Sequence, residues 1–304
     1  MKLGIHSAIL VDYNFEEALR HAHEMGYTAI ECCCWPYEPA TRRYAGITHI
    51  DVDTLDEGRV LQIKQACERY NIEIAALGYY PNPMSPVIGV ADKSISHIKK
   101  VILAAEKLGV PTVSTFVGKD KNKSVEDNLL EFTRVWPSII DFATTHKIKI
   151  AIENCPMFFS KDEWPGGNNL ATAPYIWRQM FSIIDSPYFG LAYDPSHCIL
   201  QRMDTIKPIY EFKNKIFHVH LKDLCVYQDK LDEYGSFAYP LDYTSNKIPG
   251  KGQVDWKAVI DALYDINYTT PIVIEVEDKD YEDSPEDILK ACELSYQHCI
   301  QFIR

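Results

Sequence analysis

Four short apolar runs in the second half of the chain each close on groups that can bind a cation or move a proton. KIKIAIENC (147–155) carries Glu153, and YFGLAYDPSH (188–197) carries Asp194 and His197. KIFHVHLKD (215–223) carries His218, His220, Lys222 and Asp223, and PIVIEVED (271–278) carries Glu275, Glu277 and Asp278. A carboxylate at the end of a buried apolar run is costly unless it is paired or bound to a cation. Taken together, Glu153, Asp194, His220 and Glu275 would form a hard, oxygen-rich set that suits Mn²⁺ or Mg²⁺, with Co²⁺ or Zn²⁺ as alternatives. The competing reading is a set of separate ion pairs on a polar rim. Residues two apart on a strand share a face. His218, His220 and Lys222 therefore point one way, which would stand Lys222 above the cation near substrate oxygens. Glu275 and Glu277 also share a face, and phase alone leaves open which of them is the ligand.

These side chains need a scaffold that brings strand ends together. Eight apolar runs recur along the chain: 2–10, 27–34, 72–80, 111–118, 147–155, 188–197, 215–223 and 271–278. Their nearly continuous Val/Ile/Ala character fits parallel strands covered on both faces. Helix-start signals fall between them: Asn14 with Glu17, Thr54 with Glu57, Ser124 with Asp127, and Ser284 followed by Pro285. Gly26 and Gly109 stand where helices should end, and 94–108 shows the helical period. Strand and helix in eightfold alternation predict a single (β/α)8 barrel over 1–304, with no linker and with reactive groups at the C-terminal strand ends. Long connections are expected at about 35–53, 156–169 and 224–250. Loops of that length are usually functional or interfacial. They are rich in aromatic residues, among them Trp35 and Trp164, which could grip a substrate or bury a subunit contact.

Composition narrows the function. The 304 residues carry a net charge of −12, so nucleic acid is not an expected partner. No apolar run is long enough to span a membrane. The opening MKLGIHSAIL is too short and too soon polar for a signal peptide, and the 9 cysteines are irregularly spaced. Together these features predict free thiols and a cytoplasmic location. ECCCWP (31–36) reads as strand packing, because adjacent residues alternate faces and cannot all ligate one metal. Glu31 and His6 are candidates for substrate hydroxyls if they face the lumen. A buried ion pair for Glu31 and a satisfied core histidine for His6 are the competing readings. In PGKGQVDW, Gly250 and Gly252 could form an anion-binding nest, but a turn into a helix capped by Asp255 is the simpler expectation.

The motifs IAIENCPM, GLAYDPSH, FHVHLKD, PGKGQVDW and IVIEVED, in this order, resemble the xylose-isomerase-like TIM barrel family of sugar isomerases and epimerases, and the resemblance runs over 2–302. It implies one divalent metal, often Mn²⁺, held by Glu153, Asp194, His220 and Glu275, and so selects Glu275 over Glu277. It also implicates His197 in substrate contact. A metal chelated by a sugar carbonyl and its neighbouring hydroxyl polarises the carbonyl and stabilises the enediolate left when a proton departs. Glu153 and Glu275, from opposite flanks, would take and return that proton, while His197 and Lys222 hold substrate oxygens and His218 lines the site. The expected reaction is epimerisation or aldose–ketose isomerisation of a small sugar or glycoside. With a leaving group β to the carbonyl, the same chemistry ends in elimination, as in the inosose dehydratases and the catalytic subunits of C-glycoside deglycosidases. A homo-oligomer is expected, with a small second subunit in the deglycosidase case. Endonuclease IV is a remote alternative. It needs extra histidines on the third and fourth strands, where this chain has Tyr79-Tyr80 and Thr115-Phe116.

Overall fold

The computed structural model describes residues 1–39 and 44–304, so part of the 35–53 connection, residues 40–43, lies outside the described residues. Ten strands occur among these residues: β1 Leu3–His6, β2 Ala29–Cys33, β3 Glu73–Gly78, β4 Thr112–Thr115, β5 Lys149–Glu153, β6 Phe189–Tyr193, β7 Ile216–Leu221, β8 Asp223–Val226, β9 Thr244–Lys247 and β10 Ile272–Ile274. Eight of them close a barrel in the order β1-β10-β7-β6-β5-β4-β3-β2. Each barrel pairing is parallel. The single expected barrel is therefore present, and each of its strands lies inside one of the eight apolar runs. The helices are α1 Phe15–Glu24, α2 Glu57–Tyr70, α3 Val90–Leu108, α4 Val125–Thr145, α5 Pro174–Ile183, α6 Ser196–Leu200, α7 Lys207–Glu211, α8 Gln228–Tyr234, α9 Trp256–Asp265 and α10 Pro285–Ile300.

Local chemistry sets most helix starts. Asn14 and Glu17 form a reciprocal capping box on α1, Ser124 caps α4, and Ser284 caps α10 ahead of Pro285. One start differs from expectation. Asp56, not Thr54, caps α2 through the Arg59 N–H, because Thr54 spends its hydroxyl on Asp51 Oδ2 at 2.7 Å. The outer face of the barrel and the helices share one large apolar core that includes Trp136, Trp177, Phe132 and Phe189. Burying each such side chain is worth about 1.5–3 kcal/mol.

The cysteine triplet follows the pleat. Cys32 and Cys34 join the outer core, whereas Cys33 packs with Ala8 and Ile47. All three are buried free thiols. The floor of the lumen is small or apolar: Ala29, Ala75 and Val273 on one side, Ala151, Ala192 and Phe217 on the other. Register shifts occur beside both groups. Ile30 pairs with Ile74 but Glu31 with Ala76, and Leu191 pairs with Ile216 but Ala192 with His218. Such irregularities re-aim the residues that follow, here Glu31 and His218.

The long connection 224–250 is more ordered than its sequence implies. β8 and β9 pair antiparallel across it, with α8 between them.

Candidate active site

Charged groups converge at the C-terminal end of the barrel. Six side chains form a closed ring in which acid and base alternate. Glu153 Oε1 lies 3.6 Å from His220 Nδ1, which is 3.7 Å from Glu275 Oε2. Glu275 Oε2 lies 3.0 Å from Lys222 Nζ, which is 3.4 Å from Asp194 Oδ2. His197 Nε2 closes the ring, 3.2 Å from Asp194 Oδ2 and 3.3 Å from Glu153 Oε1. The six come from the ends of β5, β6, β7 and β10 and the first turn of α6. All are buried except Glu275, whose side chain is 14% exposed. Glu277 reaches the same ammonium at 3.5 Å and accepts from Asn246 Nδ2 at 2.8 Å.

Two asparagines fix the main chain that carries Asp194 and Glu153. Asn154 donates from Nδ2 to the Asp194 carbonyl at 2.9 Å and accepts the Asp194 N–H at 2.8 Å. Asn169 donates to the carbonyls of Glu153 and Cys155 at 2.9 and 2.7 Å and accepts the Val117 N–H at 3.1 Å. Asp194 Oδ1 is turned by the Ser196 N–H at 2.8 Å, leaving Oδ2 for the ring. The sequence reading missed both asparagines. Asn154 had a signal, since an amide beside an expected ligand is a natural brace, but Asn169 lies in a loop and had none.

Beneath the ring is a second layer centred on Glu31, which is fully buried. Its Oε2 accepts from His218 Nε2 at 2.7 Å and His220 Nε2 at 2.8 Å. Its Oε1 accepts from the Tyr80 hydroxyl and faces His6 Nε2 at 3.3 Å. Glu31, His6 and His218 thus occupy one another, and for Glu31 this is the buried ion pair rather than the contact with substrate hydroxyls. Tyr80, which the sequence reading left without a role, joins this layer and packs at a tilt against Phe116 with ring centroids 5.0 Å apart. Trp35 packs against the cluster of Tyr80, Phe116 and Met157, so an apolar wall stands on the β2–β5 side of the ring. Trp164 packs edge-on to Phe158 with centroids 5.4 Å apart.

Electrostatics divide the carboxylates. Burial opposes the charge of Glu153, but the hydrogen bond with His197, the nearby imidazole of His220 and the charge of Lys222 hold it well below the usual range. Burial likewise opposes the charge of Glu275, and Lys222 brings it below its ordinary value. Asp194 is raised by burial, helped by the negative charges of Glu153 and Glu275. Burial also raises Glu277. Lys222 is pushed well above its usual value, against burial, by Glu275, Glu277, Asp194 and Glu153. Against burial again, Glu31 and Glu153 raise His220. Glu31 is held well below, in spite of burial, by His6, His220 and His218.

The donor set fits a divalent cation. Ligand atoms of Glu153, Asp194 and His197 lie within 4.8 Å of one another, and so do those of Glu153, His220 and Glu275. The expected quartet is thus brought together as two overlapping triads that share Glu153. Asp194 Oδ2 and His220 Nδ1 are buried without a hydrogen-bond partner among the described residues, a costly state that a cation would relieve.

PGKGQVDW makes a turn, and its would-be nest holds an anion of the chain itself. The Gly250 N–H and the indole N–H of Trp256 each donate to Asp223 Oδ2 at 3.0 Å. Asp255 caps α9 as expected. Among the described residues no helix is long and apolar enough to cross a membrane.

The chain is similar to several known proteins. An inosose dehydratase of Clostridium tetani (strain Massachusetts / E88) is 30% identical over 117 residues, covering 36% of this chain and 38% of that protein. The chain thus matches well under half the length of that relative. Among solved structures, D-psicose 3-epimerase from Clostridium cellulolyticum H10, crystallised with D-tagatose, superposes with a TM-score of 0.70 over 100% of both chains at 13% identity. The IOLI protein, crystallised with a zinc atom, superposes with a TM-score of 0.71 over 100% of this chain and 99% of its own at 17% identity. At such identities these two speak for the fold alone. The family model for the xylose isomerase-like TIM barrel, however, matches residues 19–298, and the chain belongs to that family.

Proposed function

We propose that the protein is a divalent-metal-dependent isomerase or epimerase that abstracts a proton next to the carbonyl of a small polyhydroxylated substrate. One observation carries this reading: the closed ring of alternating acids and bases, in which Asp194 Oδ2 and His220 Nδ1 lack hydrogen-bond partners. Glu153, Asp194, His220 and Glu275 would hold the ion, Mn²⁺ foremost. When bound, it supplies Lewis-acid polarisation of a carbonyl and its neighbouring hydroxyl.

The chain's own groups do the rest. Glu153 and Glu275 flank His220 Nδ1 at 3.6 and 3.7 Å, so one carboxylate takes a proton from carbon while the other returns one from the far side. The depressed Glu153 carboxyl is ionised near neutral pH and therefore able to act as the base. Lys222 and His197, anchored on the ring carboxylates, offer N–H groups to substrate oxygens. The apolar wall of Trp35, Phe116 and Met157 limits water on one side, which strengthens every charge interaction within.

A second ending of the same chemistry is elimination of a group β to the carbonyl. The match to inosose dehydratase, a dehydratase by name, favours it. One experiment separates the two. The protein with Mn²⁺ is incubated in D₂O with ketoses, keto-inositols and 3-oxo-glycosides. Deuterium at one carbon of a recovered sugar supports epimerisation or isomerisation, whereas loss of water or of an aglycone supports elimination. The absence of both exchange and release across the panel would overturn the proposal.

A further inference from the structure

We infer that Glu31 is a positioning residue that fixes the tautomer and ring orientation of His220, so that Nδ1 is presented to the cation site. This rests on the metal-site reading above. His220 spans the two layers. Its Nε2 lies 2.8 Å from Glu31 Oε2, and its Nδ1 faces Glu153 and Glu275 at 3.6 and 3.7 Å. An ionised carboxylate only accepts, so Nε2 must carry the proton. Nδ1 is then the atom left to ligate, and in metalloproteins a carboxylate behind a ligating imidazole does this work.

The carboxylate is itself held from every side. His218 Nε2 shares Oε2 at 2.7 Å, and Tyr80 and His6 occupy Oε1. The His6 tautomer is set independently, because its Nδ1 accepts the Ala8 N–H at 3.2 Å and Nε2 is left to face Glu31. Ser114 Oγ lies 2.9 Å from the Tyr80 hydroxyl. Gly78 leaves the room required, since a Cβ there would come within 2.6 Å of Glu31 Oε1. Three hydrogen bonds and the contact with His6 Nε2 hold this buried carboxylate in place.

The same three residues, Glu31, His218 and His220, are close enough to suggest a second metal centre. Their spacing excludes it. Tetrahedral ligands about 2.1 Å from an ion stand about 3.4 Å apart, whereas both histidine nitrogens lie at 2.7 and 2.8 Å from one oxygen, the length of a charge-assisted hydrogen bond.

The test pairs nuclear magnetic resonance with calorimetry. In wild-type protein labelled with ¹⁵N-histidine, and assigned by difference against His220→Asn, His220 Nε2 should bear a slowly exchanging, downfield proton. Glu31→Gln, which swaps one acceptor oxygen for a donor, should lose that proton. It should also bind Mn²⁺ ten- to a hundredfold more weakly by titration calorimetry. If Glu31 were only structural, Glu31→Gln would melt earlier while keeping both the Nε2 proton and the Mn²⁺ affinity, and that result would overturn the inference. So would a wild-type His220 Nε2 without a protected proton, a measurement that needs no variant to fold. If wild-type protein takes up no Mn²⁺, the metal reading fails, and the wild-type proton signal still decides the role of Glu31.

Discussion

The ammonium of Lys222 stands 3.0 Å from the carboxylate of Glu275, inside a ring otherwise built to hold a cation. Its position creates a competition. Lys222 neutralises Glu275, Glu277 and Asp194, and the same positive charge repels a divalent ion drawn to Asp194 and Glu275. The Lys222→Met variant keeps most of the side chain's length and removes the charge. Turnover should fall by about 10²–10⁴-fold if Lys222 serves substrate oxygens, while Mn²⁺ affinity holds or rises. In EDTA the variant should unfold more easily, because buried carboxylates lose a partner whose removal typically costs about 3–5 kcal/mol. Calorimetry and melting curves check both signs. Weaker Mn²⁺ binding would mean that Lys222 supports the ion rather than competing with it.

Glu153 belongs to both ligand triads. The Glu153→Gln variant therefore removes a base and a shared ligand while leaving the Asn169 contact to the Glu153 main-chain carbonyl in place. Turnover should vanish, and Mn²⁺ affinity should drop by more than the 10–100-fold typical of an outer-layer partner. A variant with normal turnover would remove the site assignment altogether.

Chelation gives a third measurement. A ligand that binds only the folded state stabilises it by about 2.7 kcal/mol at a hundred times its Kd. EDTA should abolish turnover and lower Tm, and added Mn²⁺ should restore both, with Tm rising by several degrees. Running Mg²⁺, Co²⁺ and Zn²⁺ beside it ranks the ions by the same shift. A Tm indifferent to all four would leave the ring as a set of ion pairs.

The barrel was legible because parallel strands buried on both faces read as apolar runs, and the ring because charged residues interrupt those runs at their ends. Glu153, Asp194, His220 and Glu275 stood out in this way one at a time. The Glu31 layer did not, since it joins residues as far apart as Glu31 and His220 across four strands, and each alone passes for a core residue. The β8–β9 hairpin was hidden for another reason. TSNK (244–247) is polar and pairs only with its neighbour across the loop, so it lacks the apolar signature of a strand. The start of α2 lies two residues beyond the cap expected at Thr54, because Thr54 and Asp56 are both good caps and only the Asp51 contact decides between them.

The thiols of ECCCWP should be inert. Burial pushes Cys32, Cys33 and Cys34 well above the ordinary thiol range, and the thiolate is the form that reacts. Native protein treated with iodoacetamide at pH 8 should therefore leave all three unmodified, and unfolding in urea should expose them. Cys67 is pushed up to about 11 by burial and should react slowly. Mass spectrometry of digests reads each site. Rapid alkylation of Cys33 in the folded protein would place it in an open site instead of the barrel wall.

Asp223 offers the sharpest stability test outside the ring. It follows Lys222 directly and gathers four N–H groups: Leu224 and Val254 on Oδ1 at 2.9 and 3.0 Å, Gly250 and the Trp256 indole on Oδ2 at 3.0 Å each. The contact is so close that a Cβ at Gly252 would meet Oδ1 at 2.2 Å. Asp223→Ala strands these donors in a buried place, and each orphaned group costs about 1–3 kcal/mol unless water reaches it. Relaxation of the 248–256 turn will recover part of that, so a loss of roughly 3–5 kcal/mol in urea unfolding is expected. Activity should fall too, because the turn and the end of β7 that carries Lys222 share this anchor. Mn²⁺ affinity should change far less than in Glu153→Gln, since none of the four proposed ligands touches Asp223. An Asp223→Ala protein as stable as wild type would mean that the turn is held by its own backbone, and that the buried carboxylate is a passenger there.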